Sequence, residues 1–321
     1  MARITFSTKG FKQSIHDELA FQRQKKRSPP SPEARPTFLE WLRISWPDIL
    51  TMIAIGAIGL GFDKMWPPYH RLFPYLDTDG TIISPELAYR KRPPTLSAAL
   101  SGILSIGIPI LVFLFSQFLT PSFWVLNNSL FGILYANLLG TCLQIMIKTL
   151  VGGFRPHFLS VCQPDLSRPG ASQGLNGIYH DWSICTGEAK DVKNALISFP
   201  SGHTEAAFAS GVFLSLWLNA QLKVWSAYQP RFWKVVVVFV PLLGAVLMAG
   251  DLQMTGNHHW YDMLMGAVVG TMVAFAGYRA MFESVWDART NDVVVLRRSQ
   301  MIVAGERTKD RGRSTDSGDL V

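Results

Sequence analysis

Long apolar runs separated by polar segments are the main feature of this sequence. Six of the runs approach the roughly 20 residues that an α-helix needs to cross a bilayer, and few charges lie inside them. They are Pro47–Met65, Leu96–Leu119, Phe123–Val151, Gly202–Leu222, Phe232–Gly250 and Trp260–Phe282. A soluble protein with buried helices is the alternative, and so many apolar runs disfavour it. The pattern therefore predicts an all-α fold, a six-span transmembrane helical bundle.

The polar segments between and around the runs predict the domain organisation. Several prolines interrupt residues 1–46, which we expect to form a disordered basic tail in the cytosol. Prolines also exclude a long helix from residues 66–95. The long segment 152–200 has no helical pattern, and such a segment in a compact protein is usually functional. The predicted parts are the tail 1–46, a six-span domain 47–282 and a cytosolic C-terminal tail 283–321.

Composition and charge support this interpretation and predict an orientation. Hydrophobic residues make up 48% of the chain, and the formal net charge is +7. Basic residues concentrate in segments 1–46 and 289–313, so the positive-inside rule places both termini in the cytosol. With this many spans, basic ends favour contact with anionic lipid headgroups over binding to nucleic acid. The run Arg90-Lys91-Arg92 falls on the other side and opposes the rule.

The tetrapeptide Pro200-Ser201-Gly202-His203 stands where a polar segment meets the fourth apolar run. Pro200 cannot continue a preceding helix and Ser201 is a good N-cap, so we predict that a helix begins here. The start of a helix offers free backbone N–H groups and a positive dipole end, which suit a bound phosphate. Taken alone, the tetrapeptide is more often a helix cap with a neighbouring histidine.

Two further polar clusters fall at the ends of apolar runs on the same predicted face. One contains Lys148 and Arg155, and the other contains His258 and Asp262. Separately, they are typical of snorkelling cations and of a structural hydrogen bond at the membrane interface. Ionisable groups at membrane depth are costly and tend to mark functional sites. Three such clusters on one face therefore predict a single site.

These residue types suit phosphoryl transfer through a histidine. His258 and Asp262 are four residues apart, so they share one face of a helix. The carboxylate can then hold one imidazole nitrogen as N–H while the other attacks, and His203 is the candidate acid and later base. The candidate phosphate-binding groups are Lys148, Arg155, Ser201 and Gly202. No acidic cluster on this face is typical of a magnesium site, so we expect neither a metal nor another cofactor.

The three clusters resemble the signature motifs of the lipid phosphate phosphatase family, the membrane branch of the type 2 phosphatidic acid phosphatase/haloperoxidase superfamily. The resemblance covers about residues 47–282 and includes the run from Arg155 to Leu159 with Cys162, Pro164 and Asp165 after it, and Arg71, Phe73, Ile82 and Pro85. It implies a six-span enzyme that dephosphorylates phosphatidic acid, lysophosphatidic acid or diacylglycerol pyrophosphate. It also implies that His258 is the nucleophile and His203 the acid.

The third cluster departs from the family pattern at Asp251 and Leu252, where the family has Ser and Arg. The family's Arg is a phosphate ligand, and losing such a contact costs about 2–4 kcal/mol, on the order of 10²–10³ in rate. Three interpretations follow: a slow enzyme, an enzyme for a different phosphoester, or a catalytically impaired pseudo-phosphatase that binds lipid. A vanadate-dependent haloperoxidase is a further alternative, which the spans disfavour.

Cys162 and Cys185 both lie in the long segment on the predicted lumenal or extracellular face. That side is oxidising in a secretory-pathway membrane, so we predict a disulfide, with two free thiols as the alternative. The sequence thus indicates a multi-pass protein of an endomembrane, the vacuolar membrane or the plasma membrane. Its expected partners are the bilayer and a lipid phosphate substrate, and its oligomeric state is left open.

Overall fold

The computed structural model describes residues 35–66, 71–77 and 79–295, and this part of the chain is mostly helical. The α-helices are α1 (Phe38–Lys64), α2 (Ala98–Leu119), α3 (Phe123–Val151), α4 (Phe158–Cys162), α5 (Ala189–Ala195), α6 (Gly202–Leu222), α7 (Phe232–Met254) and α8 (Trp260–Met281). Two short strands, β1 (Phe73–Pro74) and β2 (Tyr179–His180), pair antiparallel with Phe73 opposite His180.

Five helices, namely α1, α2, α3, α7 and α8, are long and apolar enough to cross a membrane. The predicted helical, multi-pass membrane fold is therefore confirmed at this coarser level. The remaining predicted span is α6, which has 21 residues but carries buried polar side chains such as Glu205, Ser210 and Asn219. It packs against α2, α3, α7 and α8. These neighbours shield its polar groups from lipid, which explains why α6 is less apolar than the other long helices.

The first long helix begins earlier than the sequence pattern indicates. Helix α1 starts at Phe38, about 2.5 turns before the predicted apolar run begins at Pro47. Thr37 N–H donates to Glu40 Oε2 at 2.8 Å, and Glu40 N–H donates to Thr37 Oγ1 at 3.4 Å. This capping box begins the helix, and Pro47 is accommodated inside it. The rest of the predicted tail, residues 1–34, lies outside the described residues.

The start of the predicted C-terminal tail is folded. Lys223 Nζ contacts Asp292 Oδ1 at 2.6 Å, and the hydroxyl of Tyr278 donates to Asn291 O at 2.7 Å. Residues 283–295 therefore pack against the ends of α6 and α8. Residues 296–321 lie outside the described part.

Glycines allow α8 to approach α6 closely. A Cβ at Gly266 would lie 2.6 Å from Ser201 O, and one at Gly270 would lie 2.8 Å from Ala209 N. Larger side chains would force the helices apart, as is general for tight contacts between membrane helices. The backbone N–H of Ser201 donates to Asp262 O at 3.0 Å, so the starts of the two helices are joined directly.

The segments between the helices form a small unit at the bundle end where α3 ends and α6 and α8 begin. Its apolar core combines Phe73 and Leu87 from the first connection with Phe158 and Ile184 from the long segment after α3. A disulfide joins Cys162 to Cys185 in this unit. Within the unit, the Arg155 N–H donates to Ala195 O at 2.9 Å, which joins the segment after α3 to the end of α5.

Candidate active site

The ends of three helices bring the polar clusters together. Lys148 lies in the last turn of α3, Ser201 is the N-cap of α6, and Asp262 lies in the first turn of α8. The N-cap predicted at Ser201 is confirmed, because its side chain accepts a hydrogen bond from the Thr204 N–H at 3.5 Å. Residues that are far apart in the sequence therefore share one end of the bundle.

A buried histidine and carboxylate form the centre of the site. His258 Nδ1 lies 3.3 Å from Asp262 Oδ2, and the two residues are only 2% and 0% exposed. The same carboxylate oxygen accepts from Ser198 Oγ at 2.5 Å and from the His259 N–H at 3.0 Å. A carboxylate beside Nδ1 holds that nitrogen as N–H, so Nε2 keeps its lone pair. Nε2 has no hydrogen-bond partner in the described part of the chain, which makes it a candidate nucleophile.

Arg155 is fixed beside this pair by three hydrogen bonds. Its Nε and Nη2 donate to the O and Oδ1 atoms of Asn194 at 3.0 and 3.1 Å. Its Nη1 donates at 3.2 Å to the carbonyl of Asn257, the residue that precedes His258. Burial lowers the pKa of Arg155 to about 10, so the guanidinium stays charged near neutral pH.

The start of α6 presents unused hydrogen-bond donors. Within the described residues, the N–H groups of Gly202 and His203 have no acceptor, as expected in the first turn of a helix. His203 Nε2 is buried and also lacks a partner among those residues. Gln144 Nε2 donates to Pro200 O at 2.9 Å and braces the preceding turn. Buried polar atoms without partners are costly, so these donors indicate space for an anionic ligand.

Charges of the three clusters act on one another. The charges of Lys148 and Arg155 interact electrostatically with both His203 and His258. The charge of Asp262 interacts in the same way with Lys148 and Arg155. Burial first, and then the charge of Arg155, lower the pKa of His258, although the hydrogen bond to Asp262 opposes this shift. The structure thus brings all predicted residues to one place: Lys148, Arg155, Ser201, Gly202, His203, His258 and Asp262.

Asp251 and Leu252, the positions of the departure, both make contacts that hold segments around the site. Asp251 Oδ2 accepts from the Thr95 N–H at 3.2 Å. Leu252 is only 2% exposed, and its carbonyl accepts from the N–H groups of Asn257 at 2.9 Å and His258 at 3.3 Å. Position 252 therefore supplies no cation, but its backbone positions the turn that carries His258.

Sequence reasoning missed four residues that support the site, namely Gln144, Asn194, Ser198 and Asn257. Their side chains or carbonyls contact the three clusters only because the fold brings distant segments together, and no spacing in the sequence indicates these contacts. Two of them carried a signal. Gln144 is a polar residue inside an apolar run, which is costly in a membrane without a partner, and Asn257 directly precedes His258.

The chain is similar to known proteins over much of its length. A model of the PAP2 superfamily matches residues 129–286. The chain is 30% identical over 235 residues to lipid phosphate phosphatase 1 of Arabidopsis thaliana, covering 73% of this chain and 67% of the relative. It is 34% identical over 242 residues to probable diacylglycerol pyrophosphate phosphatase 1 of Schizosaccharomyces pombe, covering 73% and 80%. No solved structure matches significantly.

Proposed function

Because the chain belongs to the PAP2 superfamily, among its lipid phosphate phosphatases, we propose that it is an integral membrane enzyme that releases phosphate from lipid phosphates. The proposed substrates are phosphatidic acid, lysophosphatidic acid and diacylglycerol pyrophosphate. One observation carries the proposal: the buried pair of His258 and Asp262 faces a site to which Lys148, Arg155 and the start of α6 contribute donors for an anion.

The first step is transfer of the phosphoryl group to His258. Asp262 holds Nδ1 as N–H, and the lone pair of Nε2 forms a bond to phosphorus. The bond between phosphorus and the lipid oxygen breaks, and His203 gives its proton to that oxygen. Lys148, Arg155 and the N–H of Gly202 bind the phosphoryl oxygens while their negative charge redistributes.

The second step is hydrolysis of the phosphohistidine. His203, now neutral, takes a proton from water, and the water oxygen attacks phosphorus. The bond from phosphorus to Nε2 breaks and its electron pair returns to His258, so inorganic phosphate leaves and the histidine is regenerated. This cycle uses only side chains of the chain and water, and it requires no metal ion.

The proposed topology has six spans, namely the five apolar helices and α6, which is the fourth span along the chain. Its length of 21 residues is sufficient to cross a bilayer within the bundle. An even number of spans leaves both termini on one side, and the basic ends make that side cytosolic. The site then faces the lumen or the extracellular space of an endomembrane, vacuolar or plasma membrane.

A catalytically impaired lipid-binding protein is the second candidate, and Leu252 is the observation in its favour because it provides no cation. Phosphate release from phosphatidic acid in detergent micelles, measured with a chelator and separately with magnesium, distinguishes the enzyme from the lipid-binding protein. We expect release well above that of membranes lacking the protein, and no stimulation by magnesium. Lipid binding without release would support the second candidate, and release only with magnesium would contradict the cycle described above.

The pH profile provides a test of the role of His258. Protonated His258 has no lone pair, so kcat/KM falls as the pH falls through the pKa of the free enzyme's histidine. Because burial and Arg155 lower that pKa, we expect the fall to occur below the usual histidine value of about 6.5. The substitution Arg155→Gln removes one cause of the lowered pKa of His258, so the residual activity should fall at a higher pH than in the wild type.

The measurement compares kcat/KM between pH 4 and 8, roughly 2 units on either side of the histidine pKa, for the wild type and Arg155→Gln. Both use the same substrate, so titration of the substrate phosphate contributes equally. A fall that moves to lower pH in the variant, or does not move, would contradict the assignment of His258 as the group that must be neutral.

A further inference from the structure

A segment of the first connection crosses the edge of the candidate site. We call residues 89–95 the strap. The backbone N–H groups of residues 89 and 91 donate to Pro156 O at 3.0 Å and to Ser160 Oγ at 3.2 Å. On the other side, Asn257 Nδ2 donates to the carbonyl of residue 92 at 3.3 Å, and the N–H of residue 95 donates to Asp251 at 3.2 Å. The strap is therefore fixed between the neighbours of Arg155 and of His258.

The strap carries the basic run that opposes the positive-inside rule. Lys91 is paired, since its Nζ contacts Asp191 Oδ2 at 2.5 Å. Arg90 and Arg92 are exposed, and within the described residues neither guanidinium has a hydrogen bond or an ion pair. Arg92 precedes a proline, which restricts it to an extended backbone.

The position of these charges differs from that of the charges inside the site. His258 and Arg155 are 2% and 8% exposed, so a phosphoryl group that reaches them is buried. The strap is bonded to Asn257, the residue before His258, so a part of the substrate that extends from the reacting group toward the strap meets the exposed side chains of Arg90 and Arg92. A phosphate monoester offers a neutral glycerol ester to the strap, whereas a diphosphate offers a second anionic phosphate.

We propose that Arg90 and Arg92 form a binding site for the inner phosphate of a lipid diphosphate, the phosphate that remains on the lipid. This inference rests on the proposed function and specifies its substrate class. Arginine suits the role because its planar fork binds two phosphate oxygens at once. The anchoring of the strap by Asp251 links the departure in the third cluster to this site, because Leu252 provides no cation and Asp251 holds a segment that provides two.

The site also contributes to the reaction. When Nε2 of His258 bonds to the outer phosphorus, the bond from that phosphorus to the bridging oxygen breaks. The bridging oxygen stays on the inner phosphate, which gains negative charge as the leaving group. Two guanidiniums beside it stabilise that charge in the transition state. Diphosphate lipids therefore gain from the strap in both binding and turnover, and monophosphate lipids do not.

The decisive experiment measures ligand binding without turnover. Full-length protein in nanodiscs of neutral phospholipid carries His258→Ala as background and is titrated calorimetrically with inorganic pyrophosphate and with inorganic phosphate. The test variant adds Arg90→Gln and Arg92→Gln, and the matched control adds Lys91→Gln, which removes a charge from the same strap. We expect the test variant to lose about tenfold or more in pyrophosphate affinity. Phosphate affinity should change less than about twofold in both variants.

Each other outcome overturns the inference. If the test variant lost affinity equally for pyrophosphate and phosphate, the strap would act only through general attraction of anions. The same conclusion would follow if the Lys91→Gln control lost as much pyrophosphate affinity as the test variant. Unchanged pyrophosphate affinity, or no binding of pyrophosphate to the His258→Ala parent, would remove the site. Retained phosphate binding shows that the variant is folded. Failure of the proposed function is seen separately, as absence of phosphate release by the wild type from every lipid phosphate.

Discussion

Replacing His258 with alanine is expected to reduce phosphate release from phosphatidic acid by about 10⁴-fold or more, because the cycle begins at its Nε2 atom. The imidazole is buried, and its Nδ1 is already engaged with Asp262 at 3.3 Å. Among the residues that the structure describes, no other imidazole of the site is bonded through its ring to a carboxylate. Initial rates of phosphate release, together with acid-labile labelling of the protein by radioactive phosphate in a rapid quench, measure the effect.

The neighbouring histidine provides the matched control. His259 is the N-cap of α8, and its side chain takes part in the capping box with Asp262. His259→Asn keeps a good N-cap residue, so we expect activity within about tenfold of the wild type and unchanged labelling. Labelling that survives in His258→Ala, or that is lost in His259→Asn, would assign the nucleophile to a different atom.

Asp262→Asn is expected to lower kcat by about 10³–10⁴-fold with a small change in KM. An amide at this position presents either its NH₂ group or its carbonyl to His258, and the Ser198 hydroxyl and the His259 N–H compete for the carbonyl. If the NH₂ group faces Nδ1, that nitrogen must act as acceptor, so the proton moves to Nε2 and the lone pair needed for attack is lost.

Ser198→Ala separates this tautomer effect from a general loss of structure. Ser198 Oγ donates to Asp262 Oδ2 at 2.5 Å and lies 3.3 Å from His258 Nδ1, while Asp262 also contacts His258 directly at 3.3 Å. We expect a loss of no more than about tenfold, the size of one hydrogen bond. Thermal unfolding of both variants in the same detergent provides the control for folding. If Ser198→Ala lowers kcat as much as Asp262→Asn does, the carboxylate acts by holding the backbone and not by orienting the imidazole.

The helices were largely predictable, because apolar length and N-cap chemistry act locally. The start of α6 at Ser201 follows from Pro200 and the N-cap, and the ends of α3 and α8 lie at or next to their predicted positions. The start of α1 was missed because the capping box at Thr37 and Glu40 precedes the apolar run. Apolar length locates the part of a helix that contacts lipid and not the polar turns before it.

The candidate residues of the site were predictable for a different reason. Ionisable side chains at the ends of apolar runs are costly, so their positions carry information even without contacts. The predicted contact between His258 and Asp262 is present at 3.3 Å, but His258 lies in the turn before α8, so the two residues do not share a helix face as their spacing predicted. The supporting residues Asn194, Ser198 and Asn257 were not predictable, since ordinary polar residues in a connecting segment are common and each can bond to water.

The sequence by itself determined the long helices and which residue types meet the needs of phosphoryl transfer, but not the short helices α4 and α5 in the segment predicted to be non-helical. Tertiary structure alone decided that Asn194 and Asn257 hold Arg155, that α6 can be polar because other helices cover it, and that the strap lies beside His258. The reason is physical: helix formation and capping depend on neighbours a few residues away. Contacts between distant segments depend on close packing, such as that at Gly266, which no local pattern encodes.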